Sequence, residues 1–287
     1  MDGKCAGAIV FYSKVWMYQD GVTALTPEMI DIDYKDTIDL EAILPNEEVW
    51  IVDFSFKPKV MEELLKITQD ITWIDHHKTA MEYKYSQELK GIRDNNFSGC
   101  ELTWKYCHPD IPMPTIVKML GRYDVWDFSK FGKDLNILQA GIRLQEHNPE
   151  SKNWDLWFKE GVLDLDGMLI THFETPLLYE ILTQGDIALK YRDNQYASLI
   201  KAWSFFATFE GHKAICCNVG STSSQLFDTV EEEYDLMIPF VFDGKQWTVS
   251  LYTKKDIDCS EIAKKYGGGG HKQAAGFQCK ELPFKKE

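Results

Sequence analysis

Lysine and arginine are in short supply in this 287-residue chain: 31 of them stand against 45 aspartates and glutamates, a net charge of −14. A protein that follows a long nucleic-acid backbone carries a basic stripe, so long duplex DNA is excluded as a partner. A small anion can still bind an acidic protein when metal ions supply local positive charge. No apolar run has the length that crosses a bilayer, which argues against a membrane span. Asp2 and Lys4 are followed by only a short apolar stretch before Ser13 and Lys14, which does not make a secretory signal. The seven cysteines are odd in number and none is paired at C-x-x-C spacing. That speaks against a disulfide framework and a structural zinc site, and it makes the cytoplasm the expected compartment. Repeats and low-complexity segments are also lacking.

A hydrophobic share of 44% is enough for one large core or two modest ones. The first half alternates strand and helix patterns, which predicts an α/β domain with a mostly parallel sheet and flanking helices. Ala6 to Met17 reads as a buried helix. Val49 to Asp53 and Ile71 to Asp75 are short apolar runs that each end in an acid. Pro58 to Thr68 between them reads as an amphipathic helix with proline near its start. Such a strand–helix–strand unit delivers both acids to the carboxyl edge of the sheet, where open α/β sheets bind ligands. Ser98 and Glu101 have capping-box spacing, and helices are predicted over Met113–Tyr123, Leu135–Leu144 and Ile170–Asn194. After Trp203 the texture changes. Strands are expected over Ser204–Glu210, Ala214–Asn218, Leu236–Phe242 and Trp247–Tyr252, the last two joined by the hairpin signal Asp243-Gly244. A short helix, Ser260–Lys265, runs into Gly267–Gly270 and His271. The expected division is 1–195, connector helix included, and 196–287, a smaller α/β domain, with a cleft between them.

Several constellations can carry chemistry. Asp75-His76-His77 follows an apolar strand, and imidazole with carboxylate suits Mn²⁺, Fe²⁺, Co²⁺ or Zn²⁺ better than Ca²⁺. Two surface histidines after a strand are the plain alternative. Asp53 can bridge two metals with its two oxygens, or simply open a turn. Asp124, in Gly121-Arg122-Tyr123-Asp124, is a ligand or a helix-end acid. Asp2, ahead of the first helix, is a ligand or an N-cap. Gly267–Gly270 exposes backbone amides that can form an anion nest, with His271 and Lys272 adding donors; the alternative is a flexible joint. His108, His147, His172 and His212 lack partners at ligand spacing and read as structural or surface residues. The acid runs Asp31–Asp33 and Glu231–Glu233 read as solvated. Most of the nine tryptophans belong to core or rim, although one or two could stack on a base.

In order, D-G-K-C-A-G-A, V-D-F-S, I-D-H-H, G-R-Y-D and G-G-G-G-H-K-Q-A-A-G-F resemble the DHH phosphoesterase superfamily. The last motif resembles its C-terminal DHHA1 domain, and the likeness is greatest to the nano-RNase, oligoribonuclease and cyclic-nucleotide phosphodiesterase branch. The resemblance implies a two-metal phosphodiesterase with two divalent ions, Mn²⁺ the expected one. It implies that Asp53 bridges both ions, that Asp2, His76 and Asp124 hold the second, that His77 contacts the scissile phosphate, and that Asp75 orients the neighbouring histidine. Gly268, Gly269, Gly270 and His271 would hold the distal end of the substrate. That substrate would be a short single-stranded oligonucleotide or a linear or cyclic dinucleotide, and a homodimer is compatible with the family. The family's first motif is H-x-D-x-D. Only its final Asp, Asp2, is matched, so the first metal site is expected to be incomplete in residues 1–287, with an exposed sheet edge beside the Val49 strand. A RecJ-like single-strand exonuclease and a non-catalytic nucleotide-binding protein are the alternatives; a family II pyrophosphatase fits less well.

Overall fold

The computed structural model describes residues 1–17, 26–34, 36–78, 80–159 and 176–286. The chain divides into two compact units, Met1–Ala188 and Leu189–Glu287. The division falls ahead of the boundary read from composition, inside the long helix Pro176–Trp203. Of the stretch Ile170–Asn194, residues 170–175 lie outside the described residues, as does His172.

In the first unit, helix α1 (Asp2–Met17) starts earlier than its apolar pattern suggested. Cys5, Ala6, Ala8, Ile9, Val10 and Phe11 are all buried, and a helix apolar all round lies inside its core rather than on it. Strands β1 (Val49–Val52) and β2 (Ile71–Ile74) are parallel, with Val52 opposite Ile74. Helix α2 (Pro58–Ile67) connects them and buries Met61, Leu64 and Leu65. The mostly parallel sheet expected here amounts to this one strand pair among the described residues. An irregular stretch supports the far side of β2: Trp73 N donates to Lys90 O and Asp75 N to Ile92 O, which leaves all four β2 residues buried. Gly91, at φ +111, is required there, since a Cβ would lie 2.0 Å from Trp73 O.

The rest of the unit is helical: α3 (Gly99–Cys107), α4 (Thr115–Asp124), α5 (Asp134–Ile142), α6 (Lys152–Lys159) and the start of α7 (Pro176–Trp203). The capping box at α3 is present, with Ser98 N donating to Glu101 Oε2 and Glu101 N to Ser98 Oγ. Two apolar clusters hold the unit together. One joins α1 to α3–α6 through residues such as Ile9, Trp104, Leu120, Leu138 and Trp154; the other packs α2 on the strands.

The second unit contains a six-stranded sheet of β3 (Ser204–Phe209), β4 (His212–Asn218), β5 (Leu236–Phe242), β6 (Trp247–Tyr252), β7 (Gly269–His271) and β8 (Ala274–Cys279). Its order is β3-β4-β5-β6-β8-β7, with β4 and β5 parallel and the other pairs antiparallel. The β3–β4 turn is Glu210-Gly211, both at positive φ, so His212 belongs to the strand rather than to the turn. Helix α8 (Cys259–Lys265) is capped by Asp258, whose side chain accepts from Ser260 N and Glu261 N. All seven cysteines are free thiols. Among the described residues no helix is long and apolar enough to cross a membrane.

Candidate metal centre

The register of β1 and β2 sends Asp53 and Asp75 out side by side at the carboxyl edge of the strand pair, and Asp53 N still donates to Ile74 O at 2.9 Å. From there the two acids differ. Asp75 is fully buried and saturated with donors: its Oδ1 accepts from His76 N (2.8 Å), His77 N (3.3 Å) and His77 Nδ1 (2.7 Å). Its Oδ2 accepts from Ser55 Oγ, which in turn accepts from Trp73 Nε1 at 2.9 Å. Burial pushes the Asp75 carboxyl up, but the bonds from His77 and Ser55 outweigh it and hold the pKa below the ordinary value. Asp75 is therefore a fixed anion that sets the orientation of His77. The hydrogen bond to Asp75 raises the pKa of His77, against the pull of burial.

Asp53 is held differently. Its backbone is left-handed, at φ +53, a conformation that Asp tolerates better than most residues. Two glycines make room for its side chain: a Cβ on Gly3 would lie 3.0 Å from Asp53 Oδ2, and one on Gly99 would lie 2.6 Å from Oδ1. Oδ1 is buried and receives no hydrogen bond. His76 Nε2 is 3.2 Å away. A buried carboxylate oxygen without a donor is costly.

His76 Nε2 is the focus of the site. It lies 3.2 Å from Asp53 Oδ1, 3.4 Å from Asp124 Oδ2 and 3.9 Å from Asp2 Oδ2. Burial lowers its pKa, yet Asp53, Asp2 and Asp124 together carry it up to about 9. Asp2 comes from the first turn of α1 but caps a different helix: Gly99 N donates to its Oδ2 at 2.7 Å and Cys100 N to its Oδ1 at 3.0 Å. The N-cap reading of Asp2 is corrected accordingly, since the helix end it satisfies is that of α3, where amides and macrodipole favour an anion. Even so, burial first and Asp53 second raise its pKa to about 6. Asp124, at the end of α4, is raised by burial and by Asp2. Three acids thus crowd one imidazole, and a cation would relieve them. Two overlapping groups have ligand atoms within 4.8 Å of one another and could hold an ion: Asp53, His76 and His77, and Asp2, His76 and Asp124. The donor set, imidazole and carboxylate with one orphaned buried oxygen, fits divalent ions such as Mn²⁺.

Some supporting residues were not legible in the sequence. Gly121 lets α4 meet the cap of α3, since a Cβ there would lie 2.5 Å from Ser98 Oγ. Arg122 pairs with Glu101, the capping-box acid, and reaches Asp127 Oδ2 at 3.5 Å. G-R-Y-D is thus one working unit: the glycine admits, the arginine locks, and the aspartate is delivered. His108 and His147 have structural partners, Ser13 Oγ and Gln145 O.

The glycine run behaves differently from the nest expected of it. Gly267 N donates to Lys264 O and Gly268 N to Ala263 O, so these two amides close the end of α8. A Cβ on Gly268 would lie 2.1 Å from Gly276 O, and one on Gly270 2.5 Å from Ala275 Cα. Glycine is needed at 268 and 270 for β7 to approach β8. Gly269 faces open space and His271 is exposed.

Residues 201–287 match the DHHA1 domain family. The match lies within the second unit, Leu189–Glu287. Over 260 residues the chain is 26% identical to the uncharacterized protein R106 of Acanthamoeba polyphaga mimivirus, covering 84% of this chain and 56% of that protein. The chain therefore spans little more than half the length of that curated relative. Among solved structures it is similar to a pGpG-specific phosphodiesterase, PggH, from Vibrio cholerae (TM-score 0.49, 14% identity, 97% of this chain and 90% of that one). It is also similar to an exopolyphosphatase-related protein from Bacteroides fragilis (TM-score 0.33, 14% identity, 82% and 66%).

Proposed function

We propose that this protein is a metal-dependent phosphodiesterase that hydrolyses short oligonucleotides or linear or cyclic dinucleotides. The observation that carries the reading is the meeting of Asp2, Asp53 and Asp124 around His76 Nε2, with Asp53 Oδ1 buried and without a donor. Asp2, His76 and Asp124 would hold one divalent ion, and Asp53 would reach both ions of a pair. Bound there, divalent ions supply positive charge for the phosphate oxygens and acidify water near neutral pH. The protein's own part is positional. Asp75 accepts a hydrogen bond from Nδ1–H of His77, which leaves Nε2 to face a phosphate oxygen, and the raised pKa of His77 favours the form that donates. His271, with Gly268, Gly269 and Gly270 shaping its strand, would hold the far end of the substrate. The acidic surface suits a short substrate held by ions and a few contacts rather than a long one held by its backbone.

A panel of 5′-labelled di- to decanucleotides and cyclic dinucleotides, assayed with Mn²⁺, tests the reading. Hydrolysis should be greatest on the shortest chains and should fall by orders of magnitude in Asp53→Ala. His271→Ala should raise KM roughly tenfold to hundredfold, the loss of one charge-assisted hydrogen bond, with little change in kcat. Absence of hydrolysis on every substrate would refute the enzyme reading. A collapse of kcat without a KM change in His271→Ala would refute the separate role of that strand.

A further inference from the structure

Two helices of this protein end in the same backbone motif but with different residues at its critical position. At the end of α8, Gly268 N donates to Ala263 O (3.0 Å) and Gly267 N to Lys264 O (3.1 Å), with Gly267 at φ +77. At the end of α4, Asp127 N donates to Arg122 O (2.8 Å) and Trp126 N to Tyr123 O (3.2 Å), with Trp126 at φ +60. These are the paired bonds of a Schellman ending, whose left-handed residue is usually glycine, because a Cβ there crowds the next carbonyl. Helix α8 follows that rule. Helix α4 places the bulkiest side chain in the position that tolerates a side chain least.

Burial does not compensate. Trp126 is 71% exposed, the second most exposed large hydrophobic residue among those described. Nor is it loose. Its ring stands edge-on to Tyr123 at 5.7 Å and to Phe128 at 5.3 Å. The next residue, Asp127, is held by Arg122 through both its backbone amide and its side chain, and Arg122 is itself locked to Glu101. Trp126 follows Asp124 by two residues, so its Cα is at most about 7 Å from that of Asp124, whose Oδ2 lies 3.4 Å from His76 Nε2. The fold bears backbone strain and an apolar ring in water at a position two residues from Asp124, an acid of the candidate metal centre. A strained, exposed, well-anchored residue beside a site points to use by that site.

We propose that Trp126 is a stacking platform for a nucleobase of the substrate, the base next to the phosphate held by Asp2, Asp53, His76 and Asp124. This rests on reading that centre as a nucleotide phosphodiesterase. Stacking suits the charge of the protein: at −14 it has little long-range attraction for nucleotides, and a π-face supplies affinity that needs no positive charge and tolerates any base.

The test uses the fact that stability and binding should move in opposite directions. Trp126→Gly restores the usual residue of the motif and should raise Tm by roughly 2–4 °C. The same variant should raise KM for a purine dinucleotide roughly tenfold to hundredfold, whereas Trp126→Phe should keep most of the affinity. On an abasic dinucleotide with the same phosphodiester, wild type and Trp126→Gly should have equal KM. Calorimetry with a methylene-bridged, non-hydrolysable dinucleotide reads binding independently of turnover. If wild type hydrolyses dinucleotides but Trp126→Gly leaves KM and calorimetric affinity unchanged, or weakens base-bearing and abasic substrates alike, the stacking role is wrong and the enzyme reading stands. If wild type binds the analogue in a Trp126-dependent way but hydrolyses nothing, the stacking role stands and the enzyme reading fails. If neither binding nor hydrolysis occurs, both are wrong.

Discussion

Gly99 and Asp53 are packed so closely that a Cβ on Gly99 would lie 2.6 Å from Asp53 Oδ1. Glycine at the first position of α3 is therefore a condition for the conformation of Asp53. Gly99→Ala would ordinarily gain up to about 1 kcal/mol of helix propensity, but overpacking at this contact costs roughly 1–3 kcal/mol. The clash should win, with a small net loss in urea denaturation. The larger effect should be a fall of at least tenfold in Mn²⁺ affinity, read by calorimetry, because the carboxylate is pushed from its place. Unchanged affinity would mean that Asp53 is not a ligand.

Asp53→Asn should separate metal binding from stability. Asparagine tolerates the left-handed backbone of Asp53 and removes a negative charge that raises the pKa of Asp2. The metal-free variant should be as stable as wild type or more so. Saturating Mn²⁺ at about a hundred times Kd stabilises a protein by about 2.7 kcal/mol, roughly 5–10 °C in Tm at this size. That gain should appear in wild type and vanish in the variant by differential scanning fluorimetry.

The metal-free protein should lose stability as pH rises from 6 to 9. His76 has a folded pKa of about 9, above its ordinary value, so its contribution is complete below about pH 6.5 and is lost as pH climbs through 9. Asp2, raised to about 6, is a burden when ionised, and that burden is relieved as pH falls through 6. Both groups favour the lower end of the window. The Mn²⁺-induced rise in Tm should run the other way and shrink toward pH 6, because protons compete for the same atoms. Parallel pH profiles with and without Mn²⁺ would contradict a shared site.

Arg122→Met should be among the more destabilising substitutions in the first unit, by roughly 3–5 kcal/mol, because it leaves Glu101 buried and unpaired. Adding Glu101→Gln removes the stranded charge while keeping a side chain that can complete the capping box. The double variant should recover much of the loss in urea unfolding. If it is no more stable than Arg122→Met, the pair is not what locks α4 to α3.

Local features of this protein were determined by short stretches of sequence. The strand–helix–strand unit with an Asp after each strand, the Ser98–Glu101 box and the strands Leu236–Phe242 and Trp247–Tyr252 were all legible, because each rests on periodicity or on hydrogen bonds a few residues apart. Tertiary structure alone decided the rest. Asp2 and Gly99 meet from 97 residues apart in the chain, so nothing near Asp2 could reveal that it caps α3. Glycine at 268 and 270 looked like a ligand nest until β8 was in place against them, and Trp126 looked like one more rim aromatic until its φ was known. Capping, close approach and backbone handedness each depend on where a distant segment or a helix end lies in space, and residue type constrains that only after the chain has packed.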